Sequence, residues 1–297
     1  MGLMHAWIVE FNGILVGATG YGLLLFVRAK GKTILAQLNN LLVVPPEHTA
    51  KLLKLHQRTT SWLWTNLISV PITIMGAIIL WNCRFPLAGF AHLYLAICSI
   101  SIYFVASSIL AFFVYTLALF SYIEDRSQGG LATRLTRKRQ VGMDLETIDS
   151  FFVITSTIGI AAIYLGFRGT LTANFVNAPE IFKSLLILPA ILYLPATLCF
   201  SFYPRYVLRK VAECDILCRI QEFEDDAEKL QPASLKDGLE LRKLILDLKD
   251  KMVNEYKAVP LLSFKDAPSL TISLIFVIQF IFQKDSVVAE FFRHLFN

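Results

Sequence analysis

The chain has 297 residues, 55% hydrophobic and 17% charged, with 28 Lys and Arg against 23 Asp and Glu for a formal net charge of +5. Soluble domains carry roughly a quarter charged residues, and a mean hydropathy of +0.57 places this chain among integral membrane proteins. A soluble enzyme, a disordered regulator, a coiled-coil rod and a disulfide-stapled secreted domain are excluded.

A membrane-crossing helix needs about 20 mostly apolar residues, and six runs approach or meet that need, at about 7–27, 62–81, 97–120, 151–167, 184–203 and 267–283. The expected fold is an all-α polytopic protein of about six transmembrane helices with a cytoplasmic layer of helices. Residues 1–203 form a transmembrane region, 204–260 a cytoplasmic helical hairpin, and 261–297 the final span and tail. The third run lies within an apolar stretch from Pro86 to Tyr122 that as one helix would measure roughly 55 Å, so it must tilt or project beyond the bilayer. Of the 28 Lys and Arg, 23 fall in three alternate connections: Arg28 to Arg58, Arg126 to Arg139, and Arg205 to Lys265. The positive-inside rule then makes connections 28–61, 121–150 and 204–266 cytoplasmic and puts both termini outside. With no basic residue before the first run, that run reads as an uncleaved span.

In span one, Glu10, Gly13, Gly17 and Gly20 fall on one helical face. Small residues so spaced allow close helix packing. Repeated around an oligomer, the same face could line a pore with an acidic ring of Glu10. After span one, Thr33 to Val44 places Ile34, Leu35, Leu38, Leu41 and Leu42 on one side, the pattern of a helix lying in the headgroup plane, before Pro45-Pro46 breaks it. Between spans three and four, Arg134, Arg137, Lys138 and Arg139 put four cations within six residues. They suit topological anchoring, an anionic lipid headgroup, or a nucleotide-type or nucleic-acid ligand.

The hairpin expectation rests on two apolar stripes, Ile216, Ile220 and Phe223 on one arm and Leu241, Ile245 and Leu248 on the other, separated by Gln231-Pro232-Ala233. Two helices make a thin core, so these residues are also oligomerisation candidates. No catalytic or metal-binding motif is present, and neither an enzyme nor a cofactor is expected. Hydroxyls are scattered through the spans, while no acid or histidine stands near a midplane, which disfavours a proton-coupled transporter over a channel. The five cysteines form no disulfide framework.

The stretch Ala258-Val259-Pro260-Leu261-Leu262-Ser263-Phe264-Lys265-Asp266, after a charged hairpin and before a short last span, resembles the juxtamembrane step of uncharacterised bacterial multi-pass membrane proteins. In layout the chain is similar to membrane effectors of bacterial antiphage defence. That resemblance implies the bacterial inner membrane, breached in response to a nucleotide or oligonucleotide signal; the glycine face of span one, the lack of midplane acids and the cytoplasmic helices lead to the expectation of a homo-oligomeric ion channel gated by a cytosolic signal. The other functions the chain accommodates are a non-catalytic scaffold or receptor recruiting a soluble partner through 204–260, and a small-molecule transporter.

Overall fold

The first apolar run does not stop where its basic residues begin. In the computed structural model, helix α1 (Gly2–Leu41) runs unbroken for 40 residues, about 60 Å. The structure describes residues 2–43, 46–82, 90–128, 134–135, 141–172, 180–229, 240, 242–247, 250 and 264–282. Side chains are described from Ile14, with gaps toward the helix ends.

No proline interrupts the backbone before Pro45, so the expected headgroup-plane segment 33–44 is mostly the continuation of span one. Its apolar face is buried in protein: Ile34, Leu35, Leu38, Leu41 and Leu42 all belong to the core. Helix α2 (Pro46–Thr60) starts with Pro at its first position, where a missing N–H costs nothing. A 54° bend at Ser61 separates it from α3 (Trp62–Asn82). Helix α4 (Phe90–Gln128) spans 39 residues, close to twice the hydrocarbon thickness at about 58 Å, in line with the expected projection beyond the bilayer.

Helix α5 (Val141–Thr172) is followed by α6 (Glu180–Lys229), a single helix of 50 residues. The helix does not break at Pro204, where the hairpin is expected to begin, because Pro204 is buried within a helix that neighbouring helices support. The second arm is helical where it is described, at 242–247. A 3₁₀ turn, Phe264–Asp266, leads into α7 (Ala267–Phe282). The extended structure described is a two-residue antiparallel bridge pairing Leu42 with Leu135 and Val43 with Arg134.

Helix α4 packs against α1, α2, α3 and α6, and α5 against α1, α6 and α7. Where the central helices meet, an aromatic cluster forms: Phe113 stacks on Phe200 at 4.1 Å, and Phe152 meets Phe200 edge-on at 5.1 Å. Small and hydroxylated residues let helices close on one another elsewhere. A Cβ on Gly159 would lie 3.1 Å from Thr197, and Ser107 bridges toward Thr73 at 3.3 Å while donating to the Tyr103 carbonyl at 2.6 Å. Large apolar side chains point the other way. Leu63, Leu67, Ile74, Met75 and Ile78 of α3 and Leu274 of α7 are exposed, a distribution fit for hydrocarbon surroundings and costly in water.

Among the described residues, Ile14–Leu41, Ile100–Asp125 and Leu145–Leu165 are long and apolar enough to cross a membrane, and the bent α2–α3 pair makes a fourth when taken as one broken span. Of the expected spans at 184–203 and 267–283, the former lies in α6, whose described side chains begin at Tyr193. The latter lies in α7, whose 16 residues measure about 24 Å, below the usual spanning length.

Candidate functional site: a charged belt at the helix ends

Three charged side chains adjoin the ends of three predicted spans, and the fold brings them together. Asp149 precedes the fourth span, Arg205 follows the fifth, and Asp266 precedes the sixth. Arg205 is wholly buried, its Nη1 donating to Asp266 Oδ1 at 2.7 Å and its Nε pairing with Asp149 Oδ1. A guanidinium suits this place because its planar fork donates in two directions at once. Asp266 immediately precedes α7, and Pro268 stands in that helix's first turn, both favourable at a helix start. The Ser269 hydroxyl donates to the Asp266 carbonyl at 2.9 Å.

The belt continues outward with decreasing burial. Glu124, near the end of α4, accepts from Tyr203 at 2.7 Å with one carboxylate oxygen and from Lys210 at 2.9 Å with the other. Donating to Glu124 holds the Lys210 ammonium above its ordinary range. Lys265 reaches Glu146 at 3.1 Å and Ser150 at 3.3 Å. His48 of α2 meets the Tyr122 hydroxyl of α4 at 3.2 Å. Together with the Leu42–Leu135 bridge, these contacts join the first, second and third connecting segments.

Such a belt can fix helix ends relative to one another, and it can respond to a change of charge. Among the described residues no group of His, Cys, Asp and Glu is arranged to hold a metal.

The residues singled out from sequence are distributed differently. Gly17 and Gly20 lie on α1. A Cβ on Gly20 would sit 3.3 Å from Val105, while one on Gly17 would meet nothing within 4 Å, so within the protomer only Gly20 of the two makes a close contact. Glu10 and Gly13 belong to α1, but their side chains lie outside the described residues. Arg134 takes part in the two-residue bridge through its backbone; its side chain, and all of Arg137, Lys138 and Arg139, lie outside the described residues. Ile216, Ile220 and Phe223 are on α6 with undescribed side chains, Leu241 and Leu248 lie outside, and Ile245 is half-buried. The belt residues lie just outside the apolar runs, where a charge reads as ordinary flanking polarity. The available signal is a charge one or two residues from the ends of three successive spans.

Comparison of the chain with family models, curated proteins and solved structures gave no match. The fold and its surface define a helical protein with several helices able to cross a membrane. What it does there must be argued from its own residues.

Proposed function

We propose that the protein is an oligomeric, channel-like protein of the bacterial inner membrane, with six spans, gated through its cytoplasmic helices by a cytosolic signal, a protein or a nucleotide-type ligand. The observation that carries this reading is the continuity of α1, α4 and α6 from apolar segments into the charged belt. Helices without a joint transmit a push on the connecting segments into the membrane. Small hydroxyls, Ser107, Ser108, Thr116, Thr155, Ser156, Thr197 and Ser201, are buried between the packed helices, and side chains of this kind line a conducting passage without buried acids when helices part. The unfilled face at Gly17 is where a second protomer would pack, bringing copies of Glu10 together.

Single-channel recording on purified protein in planar bilayers tests this. The expected result is a cation-selective conductance that falls in Glu10→Gln. A silent wild type, across cytosolic extracts and nucleotides, overturns it.

The second reading, a scaffold that recruits a soluble partner, is supported by Leu244 and Leu246, both exposed in the helical segment 242–247. It requires co-purification of a partner that survives Gly17→Leu and is lost when 205–257 is deleted.

A further inference from the structure

Four helices meet around a small recess. Arg28 and Lys32, one turn apart, line it from α1, Thr59 and Thr60 from the end of α2, Thr65 from the start of α3 and Ser108 from α4, while Leu24 and Phe112 supply an apolar wall.

The hydroxyls of this lining are not used alike. Thr59, Thr60 and Thr65 each donate one turn back along the chain, to the carbonyls of Leu55, His56 and Ser61, all at 3.0 Å. That is a common use of a hydroxyl inside a helix, and Ser107 makes the same bond to Tyr103 at 2.6 Å. Ser108 does not. It is wholly buried and its hydroxyl has no hydrogen-bond partner, which is costly unless an acceptor lies against it.

Arg28 presents a second uncommitted donor. Its guanidinium lies over the Trp62 ring, 3.6 Å from the centroid, so its face is taken and its N–H edge is left for an acceptor. Nε is buried and without a partner. Among the described residues no carboxylate pairs with Arg28 or Lys32.

The space of about 20 Å³ has room for one water or one monatomic ion, and none for a phosphate or a carboxylate. A water accepts from Ser108 and Arg28 but leaves both cations without a counter-charge. A monatomic anion accepts from both and supplies that charge, where the apolar wall of Leu24 and Phe112 limits screening.

We propose that this recess binds a single halide ion, chloride in the cell, held by the Ser108 hydroxyl, Arg28 and Lys32. The ion ties α1 to α4 beside the 54° bend between α2 and α3, whether or not the protein conducts. Thermal unfolding of the full chain in mild detergent, with chloride replacing the bulkier gluconate at a constant ionic strength of about 0.15 M, reads the binding. A saturating rise in melting temperature of about 2–4 °C is expected with chloride, and bromide should reproduce it. Ser108→Ala removes one donor and little volume, and should move the midpoint of the chloride titration about tenfold or more upward. Arg28→Gln should abolish the rise. Lys30→Gln, exposed on α1 and outside the lining, should leave rise and midpoint unchanged. Should Arg28→Gln fail to fold, crystals of the wild type soaked in bromide should carry an anomalous peak between Arg28 and Ser108.

A wild type that melts at the same temperature in chloride and in gluconate overturns the proposal and leaves the recess to water. So does a rise of equal size and midpoint in Ser108→Ala, which means a general salt effect. Loss of the rise in Lys30→Gln, or bromide peaks only elsewhere on the molecule, overturns it as well.

Discussion

Arg205 sits between two carboxylates with none of its side chain open to solvent. Removing it leaves Asp149 and Asp266 buried and facing each other with only the half-exposed Lys265 nearby, so Arg205→Ala is expected to lower unfolding stability by about 3–5 kcal/mol. Chemical denaturation in mild detergent measures this, and a loss below about 1 kcal/mol would refute burial of the triad. Arg205→Ala combined with Asp149→Asn and Asp266→Asn should recover part of the loss, since two charges are removed with their partner. A second residue-scale effect concerns pH. Burial, and then the nearby charge of Lys32, lower the His56 pKa from 6.5. The unfolded chain therefore binds more protons below about 6.5, and stability falls as pH drops through that value toward the folded pKa. Melting temperatures at pH 7.5 and 5.5 should converge in His56→Gln relative to wild type; an unchanged slope would remove His56 as the cause. At this scale the sequence was only partly legible. Each belt residue was visible as a charge beside a span, but Arg205 and Asp266 are 61 positions apart. Nothing local to either says which opposite charge it will meet.

At the level of helices, two glycines on α1 make opposite predictions. A Cβ on Gly31 would lie 3.0 Å from the Phe112 ring, in the wedge between α1, α4 and α5. Gly31→Ala forces that ring to shift and should cost about 1–3 kcal/mol. Gly17 faces open space, so Gly17→Ala gains helix propensity, up to about 1 kcal/mol, with no clash inside the protomer. Thermal unfolding in detergent separates them, and a destabilised Gly17→Ala would mean that this face is occupied by another chain. The glycine spacing was legible as a face, but not which glycine touches a neighbour. Closeness depends on the opposite helix, and the Phe112 and Val105 side chains that decide it lie far along the chain. Helix length was misjudged for a related reason. Basic residues at Arg28, Lys30 and Lys32 mark an edge of the apolar run, yet a change of polarity does not break a backbone, and α1 continues to Leu41.

Across the whole molecule, the strong asymmetry of Lys and Arg predicted that three connecting segments share a side. The Leu42–Leu135 bridge and the Glu124–Lys210 and Lys265–Glu146 pairs hold those segments in contact. Single cysteines placed at Thr49, Glu146 and Arg209, all exposed, in an otherwise cysteine-free chain should therefore be labelled from the same face of sealed vesicles by an impermeant maleimide. Labelling of any one from the opposite face would break the expected topology. Insertion reads charge segment by segment, whereas the pairing of helices depends on shapes that no single segment carries. The length of α6 has a mechanical consequence. From Arg205 to Lys229 the helix extends about 36 Å past the buried triad, so a rocking of about 5° pivoted there sweeps its far end through about 3 Å. The triad is then a fulcrum. On the proposed reading, a force applied at the tip would act with the leverage of a long handle, and the belt residues would set how stiffly that handle turns.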